Sequence, residues 1–133
     1  MVRYYFDTSI WLDIHEERGY NGEVAKELIQ NIIFKDHVIV FSNFIERELK
    51  HLGFSKNEIG KIIRVAKPNK IKHVHLTKYQ LKESIRVAKQ RNVPLGDAVH
   101  AILARDHESK LVSRDRDFQK LKDITRVYLP EEL

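Results

Sequence analysis

The 133-residue sequence contains no cysteine, one methionine and one tryptophan. Without cysteine, disulfide bonds, thiolate zinc sites and cysteine nucleophiles are excluded. Long apolar runs are also missing, since none approaches the ~20 residues that a membrane-spanning helix needs. The first residues lack the basic and apolar regions of a signal peptide. These absences predict a cytoplasmic protein with no membrane segment.

Signatures of several enzyme classes are absent as well. The sequence has no Gly-x-x-x-x-Gly-Lys loop, which a P-loop enzyme requires. A haloacid-dehalogenase-like phosphatase needs Asp-x-Asp after its first strand, and residue 9 is serine. A receiver domain needs paired acids before its first helix and a lysine at the end of a late strand. All three classes fit the chain less well than a site built from dispersed acids.

Four hydrophobic segments spread along the chain each lead to an acid: Asp7, Glu48, Asp97 and Asp115. Acids that follow buried strands, or open the helices after them, meet at the carboxyl edge of a parallel sheet. Such a cluster repels itself in a partly dry site unless a cation is present. Oxygen ligands of this kind select magnesium or manganese. The pattern predicts a metal-dependent enzyme that acts on phosphate esters.

Each of these acids taken singly also has an ordinary structural role. Asp7 is placed to form a turn or cap a helix, and Asp97 is placed as a natural helix N-cap. Glu48 alone fits a surface position on a helix, and Asp115 fits a solvated loop. One acid at every strand–helix junction is a far more specific pattern than any single acid.

Strands alternate with helices along the chain, which predicts one domain over residues 1–133 with a mostly parallel sheet covered on both faces. Ser55-x-x-Glu58 and Thr77-x-x-Gln80 predict capping boxes at the starts of two helices. The second box leads Leu81, Ile85 and Ala88 into a helix that is expected to end around Asn92.

The formal net charge is +5 and the isoelectric point is near 9.4. A basic chain of this kind suits a polyanionic partner. The basic residues are densest between Lys56 and Lys72, a stretch that includes Lys67 and contains Glu58 as its one acid. This stretch fits a solvated helix and a phosphate-contacting face equally well.

The chain resembles the PIN-domain ribonucleases, in particular the VapC-like toxins of type II toxin–antitoxin pairs. Four segments carry the resemblance: Phe6-Asp7-Thr8-Ser9-Ile10-Trp11; Ser42 with Glu48-Leu49 six residues later; residues 94–101, Pro-Leu-Gly-Asp-Ala-Val-His-Ala; and residues 111–118, Leu-Val-Ser-Arg-Asp-Arg-Asp-Phe. The resemblance covers essentially the whole chain and implies a three-layer α/β/α sandwich with a mostly parallel central sheet. It also implies an endoribonuclease that depends on Mg²⁺ or Mn²⁺ and hydrolyses RNA phosphodiester bonds with a metal-activated water.

Residue by residue, the resemblance implies a catalytic and metal-binding quartet: Asp7, Glu48, Asp97 and Asp115. Asp117 matches an additional metal-binding acid that some members keep. Glu46 competes with Glu48 for the second position, but the six-residue spacing from Ser42 favours Glu48.

Hydroxyl and basic side chains flank the predicted acids. Thr8 and Ser9 match residues placed to orient a carboxylate or a water, although both are equally good helix N-caps. Ser113 replaces the usual threonine of the family and keeps a hydroxyl. Arg114 and Arg116 bracket Asp115, where contact with a substrate phosphate and simple solvation fit equally well. His100, on the helical face of Asp97, is expected to pack near the site or contact a ligand and not to be a ligand itself.

The resemblance further implies a homodimer and, for a toxin, a small antitoxin whose tail covers the acidic site. The helices near Trp11, Phe44 and Ile62 are expected to form an apolar groove for the partner's helix. Two alternatives remain: a housekeeping RNA-processing nuclease without an antitoxin, and a non-catalytic module that binds RNA or protein. The loss of one quartet acid would mark the second alternative, and all four acids are present.

Overall fold

The computed structural model describes residues 1–66 and 68–133, and within them five parallel strands form one sheet. The strands lie in the order β3-β2-β1-β4-β5, and every neighbouring pair is parallel. Their bounds are β1 (Arg3–Phe6), β2 (Val38–Ser42), β3 (Ile71–Val74), β4 (Ser109–Val112) and β5 (Val127–Tyr128). Lys67, in the basic stretch, lies outside the described residues.

Helices fill the connections between the strands. Their bounds are α1 (Thr8–His15), α2 (Gly19–Phe34), α3 (Asn43–His51), α4 (Lys56–Ile63), α5 (Lys78–Arg91) and α6 (Leu95–Asp106). Short 3-10 segments cover Arg64–Ala66, Pro68–Lys70, Arg116–Leu121 and Pro130–Glu132. Within the described ranges, none of the helices has both the length and the apolar character needed to cross a lipid bilayer.

The helices form two layers around the sheet. The chain builds β1, β2 and β3 outward in one direction and then returns to place β4 on the other side of β1. Because crossovers between parallel strands are right-handed, this reversal puts the later helices on the opposite face. Accordingly, α1 packs against α2 and α4, whereas α5 packs against α6. The predicted three-layer α/β/α sandwich is confirmed.

The core lies on both faces of the central strands, where Tyr5, Phe6, Ile39 and Val40 are fully buried. Burial on both faces is typical of parallel strands between two helical layers. Trp11 and Ile62 belong to this core, with 0 % and 1 % of their surface exposed. Neither side chain therefore has surface left for a partner to contact, and the groove on the helices near Trp11, Phe44 and Ile62 stays a prediction.

Local sequence signals hold at the helix starts. The capping boxes at Ser55 and Thr77 are both formed. On α5 the buried residues are Gln80, Ser84 and Val87, whereas Ile85 is 40 % exposed. The packing of α6 against α5, and not hydrophobicity alone, decides which face of α5 is covered.

The order of the strands creates one natural binding edge. β1 lies between β2 and β4, and the direction in which strands are added to the sheet reverses there, because β4 follows β3 in sequence but lies on the other side of β1. Open parallel sheets bind ligands beyond the carboxyl ends of the strands at such a reversal. Asp7, Ser42 and Ser113 stand at or just beyond the carboxyl ends of these three strands.

Candidate metal centre

The four predicted acids come from four different connections. Asp7 follows β1 and caps the N-terminus of α1, and Glu48 lies in the second half of α3. Asp97 is in the first turn of α6, and Asp115 follows β4 and caps the 3-10 segment Arg116–Leu121. Residues up to 108 positions apart in sequence therefore converge only through the sheet.

Three carboxylates form a cluster at this edge. One oxygen from each of Asp97, Asp115 and Asp117 lies within 4.8 Å of the other two. The Oδ2 atom of Asp97 is buried and has no hydrogen-bond partner among the described residues. Burial and the neighbouring Asp115 carboxylate raise the pKa of Asp97 to about 7. At Asp97, burial and the neighbouring negative charge thus outweigh the opposing influence of His100.

Asp7 lies deeper than the cluster and is held from three directions. Its Oδ1 accepts hydrogen bonds from the hydroxyl of Ser9 at 2.9 Å and the backbone N–H of Ile10 at 3.1 Å. Its Oδ2 accepts a hydrogen bond from the hydroxyl of Ser113. Burial raises the pKa of Asp7, and the hydrogen bonds from Ser113 and Ser9 oppose that rise. The carboxylate orientation is therefore fixed by its neighbours.

Ser113 connects two of the acids. Its Oγ donates to Asp7 and accepts the backbone N–H of Asp115 at 3.0 Å. Asp115 in turn accepts the backbone N–H of Asp117 at 2.9 Å. One hydroxyl group thereby sets the position of Asp7 relative to the three-acid cluster.

Glu48 is held by hydroxyl and imidazole donors. Its Oε1 lies 2.5 Å from the Thr8 hydroxyl and 2.7 Å from Nε2 of His100. Partial burial alone would raise the pKa of Glu48, but the hydrogen bonds from His100 and Thr8 act to lower it, and the pKa is lowered overall. Glu48 is thus stabilised as a carboxylate beside the first turn of α6.

The placement of Asp97 differs from the sequence prediction. Asp97 is not the N-cap of α6, because Pro94 occupies that position and Asp97 lies inside the first turn. Asp117, predicted as an additional metal-binding acid, lies in one group with Asp97 and Asp115, and Asp7 and Glu48 lie outside that three-acid group. The helix positions Asp97 toward the acids instead of toward its own backbone.

The flanking charged residues are placed as follows. Arg114 pairs with Glu131 in the C-terminal 3-10 segment, through both terminal nitrogens. Arg116 is exposed beside a cleft of about 410 Å³ that Ser113 and Asp115 also line. Glu46, the competitor of Glu48, pairs with Lys50 at 3.2 Å on the surface of α3.

Two buried residues that sequence reasoning did not assign to the site, Tyr5 and Ser42, are linked to Glu48 through His100. The hydroxyl of Tyr5 is 2.9 Å from Ser42 Oγ and 2.8 Å from Nδ1 of His100. A tyrosine in an otherwise apolar strand was the available signal, because a buried hydroxyl requires a polar partner.

The donor set fits a hard divalent cation. Carboxylate oxygens are the ligands that Mg²⁺ and Mn²⁺ prefer. The buried Asp97 oxygen without a partner and the raised pKa of that carboxyl are the features a cation would relieve. Asp97, Asp115 and Asp117 are therefore able to hold one ion together.

Comparisons with known proteins agree with this architecture. The family model of the PIN domain matches residues 4–124. No curated protein is significantly similar to the chain in sequence. Among solved structures, a toxin–antitoxin complex from Klebsiella pneumoniae aligns with TM-score 0.66 and 19 % identity, over 96 % of this chain and 97 % of that one.

Two further structures share the fold. VapBC2 from Rickettsia felis, bound to a DNA fragment from its promoter, aligns with TM-score 0.73 and 13 % identity over 96 % of this chain and 98 % of that one. PAE2754 from Pyrobaculum aerophilum aligns with TM-score 0.53 and 21 % identity over 90 % and 86 % of the two chains. At these identities the alignments establish the fold.

Proposed function

The chain belongs to the PIN domain family, and we propose that it is a divalent-metal-dependent endoribonuclease that acts as the toxin of a toxin–antitoxin pair. The observation that carries this proposal is the group of Asp97, Asp115 and Asp117, whose ligand oxygens lie within 4.8 Å of one another around a buried oxygen without a partner.

The proposed metal centre uses all five predicted acids. Asp97, Asp115 and Asp117 would hold Mg²⁺ or Mn²⁺, with Asp7 and Glu48 as further ligands at the same edge of the sheet. When bound, such an ion lowers the pKa of water and neutralises charge that develops on phosphate oxygens. The hydroxyls of Ser9, Ser113 and Thr8 keep two of the carboxylates in place.

The substrate class follows from charge and from the attacking group. The net charge of +5 favours a polyanion, and exposed Arg116 lies at the cleft beside Asp115. Attack by water that breaks the bond from phosphorus to the 3′-oxygen, as the resemblance to PIN-domain ribonucleases implies, would leave a 5′-phosphate and a 3′-hydroxyl. RNA is proposed because the sequence resembles PIN-domain ribonucleases.

The substrate is tested with two oligonucleotides of the same base sequence, one single-stranded RNA and one single-stranded DNA. Purified protein with Mg²⁺ is expected to cut the RNA internally and to leave 5′-phosphates, which a phosphate-dependent exonuclease then degrades. Cleavage of both strands at equal rates would contradict the RNA assignment. RNA binding without any cleavage would favour the non-catalytic module.

The partner is proposed from the same resemblance, and the aligned structures from Klebsiella pneumoniae and Rickettsia felis are toxin–antitoxin complexes. An acidic site of this kind would attract an Arg or Lys of the antitoxin, which would take the place of the cation's charge. Expression of the chain alone is expected to stop host growth, and co-expression of the adjacent small gene to restore it. Equally poor growth with and without that gene would contradict the proposed antitoxin partner. Normal growth in both cases would favour a housekeeping nuclease.

A further inference from the structure

A chain of hydrogen bonds runs through the protein interior from the start of α3 to Glu48. Ser42 Oγ lies 2.9 Å from the hydroxyl of Tyr5, which lies 2.8 Å from Nδ1 of His100. Nε2 of His100 lies 2.7 Å from Oε1 of Glu48. Ser42 and Tyr5 are fully buried and His100 is 3 % exposed. Burying these polar groups in the core costs free energy unless each of them has a hydrogen-bond partner.

The number of available protons fixes the direction of this chain. Ser42 Oγ accepts the backbone N–H of Ile45 at 3.2 Å, and Tyr5 is the partner that remains for its single proton among the described residues. Since Tyr5 then accepts from Ser42, its own proton goes to Nδ1 of His100. Reversing the direction would leave the buried Ser42 proton without an acceptor, which costs free energy.

Glu48, at the other end of this series of hydrogen bonds, determines the tautomer of His100. The carboxylate of Glu48 only accepts hydrogen bonds, so Nε2 of His100 carries the proton and donates. The rings of Tyr5 and Phe44 lie 5.5 Å and 5.4 Å from the His100 ring and limit its rotation. With Nδ1 accepting from Tyr5 and Nε2 protonated, His100 has no lone pair available to act as a general base.

The two oxygens of Glu48 have different surroundings. Oε1 receives both His100 and the Thr8 hydroxyl. Oε2 receives no hydrogen bond from the described residues and lies against Gly96, where a Cβ atom would approach to 2.9 Å. One oxygen is therefore anchored to the protein, while the other stays available beside the first turn of α6.

We propose that Tyr5 and His100 are positioning residues, which hold Glu48 by Oε1 so that Oε2 is presented as a ligand oxygen for the metal centre. The role of Glu48 as a ligand rests on the proposed function, whereas the direction of the hydrogen bonds does not. Partners that orient a metal ligand commonly change metal affinity or activity by about 10- to 100-fold when removed.

The direction of the hydrogen bonds from Ser42 to Glu48 is tested on the wild-type protein without metal or RNA. Long-range proton–nitrogen NMR spectra at pH 8 distinguish the two ring nitrogens of His100, assigned by comparison with His100→Gln. A proton on Nε2 and none on Nδ1 is expected. A proton on Nδ1 would overturn the proposed direction.

The positioning role is tested with two tyrosine variants on the same strand. Tyr5→Phe removes only the hydroxyl that joins Ser42 to His100, whereas Tyr4→Phe makes the same change on the opposite face of the strand. We expect Tyr5→Phe to weaken Mn²⁺ binding by about 10-fold and to lower kcat by a similar factor with little change in KM. Tyr4→Phe is expected to stay within about twofold of wild type. Equal Mn²⁺ affinities in the two variants would overturn the positioning role.

Histidine variants separate positioning from packing and keep the test usable if Tyr5→Phe does not fold. His100→Gln retains an N–H that reaches Glu48, whereas His100→Leu retains only bulk. Weaker Mn²⁺ binding in the leucine than in the glutamine variant is expected, and equal binding would overturn the role. If wild type, His100→Gln and His100→Leu bind Mn²⁺ with decreasing affinity in that order but wild type cuts no RNA, the proposed function fails and the positioning role stands.

Discussion

Oε2 of Glu48 lies 2.9 Å from the place that a Cβ atom would occupy on Gly96. Gly96 is inside α6, so its lack of a side chain costs helix stability. The glycine makes room for a carboxylate from α3 to approach the backbone of α6. The site, and not the helix, requires glycine at this position.

Gly96→Ala should therefore separate activity from stability. The added methyl group displaces the end of Glu48, and we expect RNA cleavage to fall by about 10-fold or more, since small displacements of reacting groups are costly. The melting temperature is expected to stay unchanged or rise, because alanine favours the helix by up to ~1 kcal/mol.

Gly60→Ala provides the matched control. Gly60 also lies inside a helix, α4, and a Cβ atom there would meet no neighbouring group within 4 Å in the part of the chain that the structure describes. This variant should gain stability and keep full activity. A loss of activity in Gly60→Ala equal to that in Gly96→Ala would contradict the steric explanation.

Asp97 is expected to make metal-free stability depend on pH. Its pKa is about 7 in the folded protein against an ordinary value of 3.8, so the folded state holds the proton more tightly between these values. The penalty for ionised Asp97 is thus absent below pH 3.8, grows as pH rises and is complete above about 7. Partial exposure keeps the penalty modest.

Asp97→Asn in EDTA should consequently melt a few degrees above wild type at pH 8, and this advantage should shrink near pH 4. Excess Mg²⁺ should reverse the order, because it stabilises the protein that binds it more tightly. Thermal unfolding followed by circular dichroism measures both effects. An advantage that is the same at both pH values would contradict the assigned pKa.

Arg116 is expected to contribute to RNA binding more than Arg114 does. The guanidinium of Arg114 is already paired with Glu131, whereas Arg116 is exposed at the cleft beside Asp115. Arg116→Ala should raise KM several-fold and reduce the salt dependence of RNA binding by about one charge. Arg86→Ala, an exposed arginine on α5, serves as control. Equal effects of Arg116→Ala and Arg86→Ala would argue against a phosphate contact.

A homodimer is predicted from the family resemblance. Light scattering at micromolar protein should give twice the 15.8 kDa mass of the chain. A monomer mass at every protein concentration would contradict the predicted homodimer.

Local signals in the sequence proved reliable where the structure depends on neighbours in the chain. The Ser55 and Thr77 capping boxes involve residues three positions apart and are formed as predicted. The alternation of strands and helices likewise predicted the parallel sheet and its two helical layers.

Features that depend on distant segments were not predictable in the same way. Tyr5 and His100 meet across 95 positions, and no spacing rule connects a strand residue to a helix so far along the chain. The N-cap prediction for Asp97 failed because residue preference does not reveal that α6 begins one turn earlier, after Pro94. The burial of Gln80 and Ser84 on α5, with Ile85 exposed, depends in the same way on the packing of α6 against α5.

The central claim is that acids at the carboxyl edge of the sheet hold a divalent ion for RNA cleavage. Cleavage rates of a labelled single-stranded RNA by wild type, Asp7→Asn and Asp123→Asn test it most directly, in EDTA and after addition of Mg²⁺. Asparagine keeps the size and N-cap role of Asp7, and Asp123 pairs with Arg91 on the surface. We expect no cleavage in EDTA and recovery with Mg²⁺ for wild type and Asp123→Asn. The cleavage rate of Asp7→Asn with Mg²⁺ is expected to be lower than that of wild type by at least about 100-fold. Cleavage that persists in EDTA, or that Asp7→Asn leaves unchanged, would contradict the account.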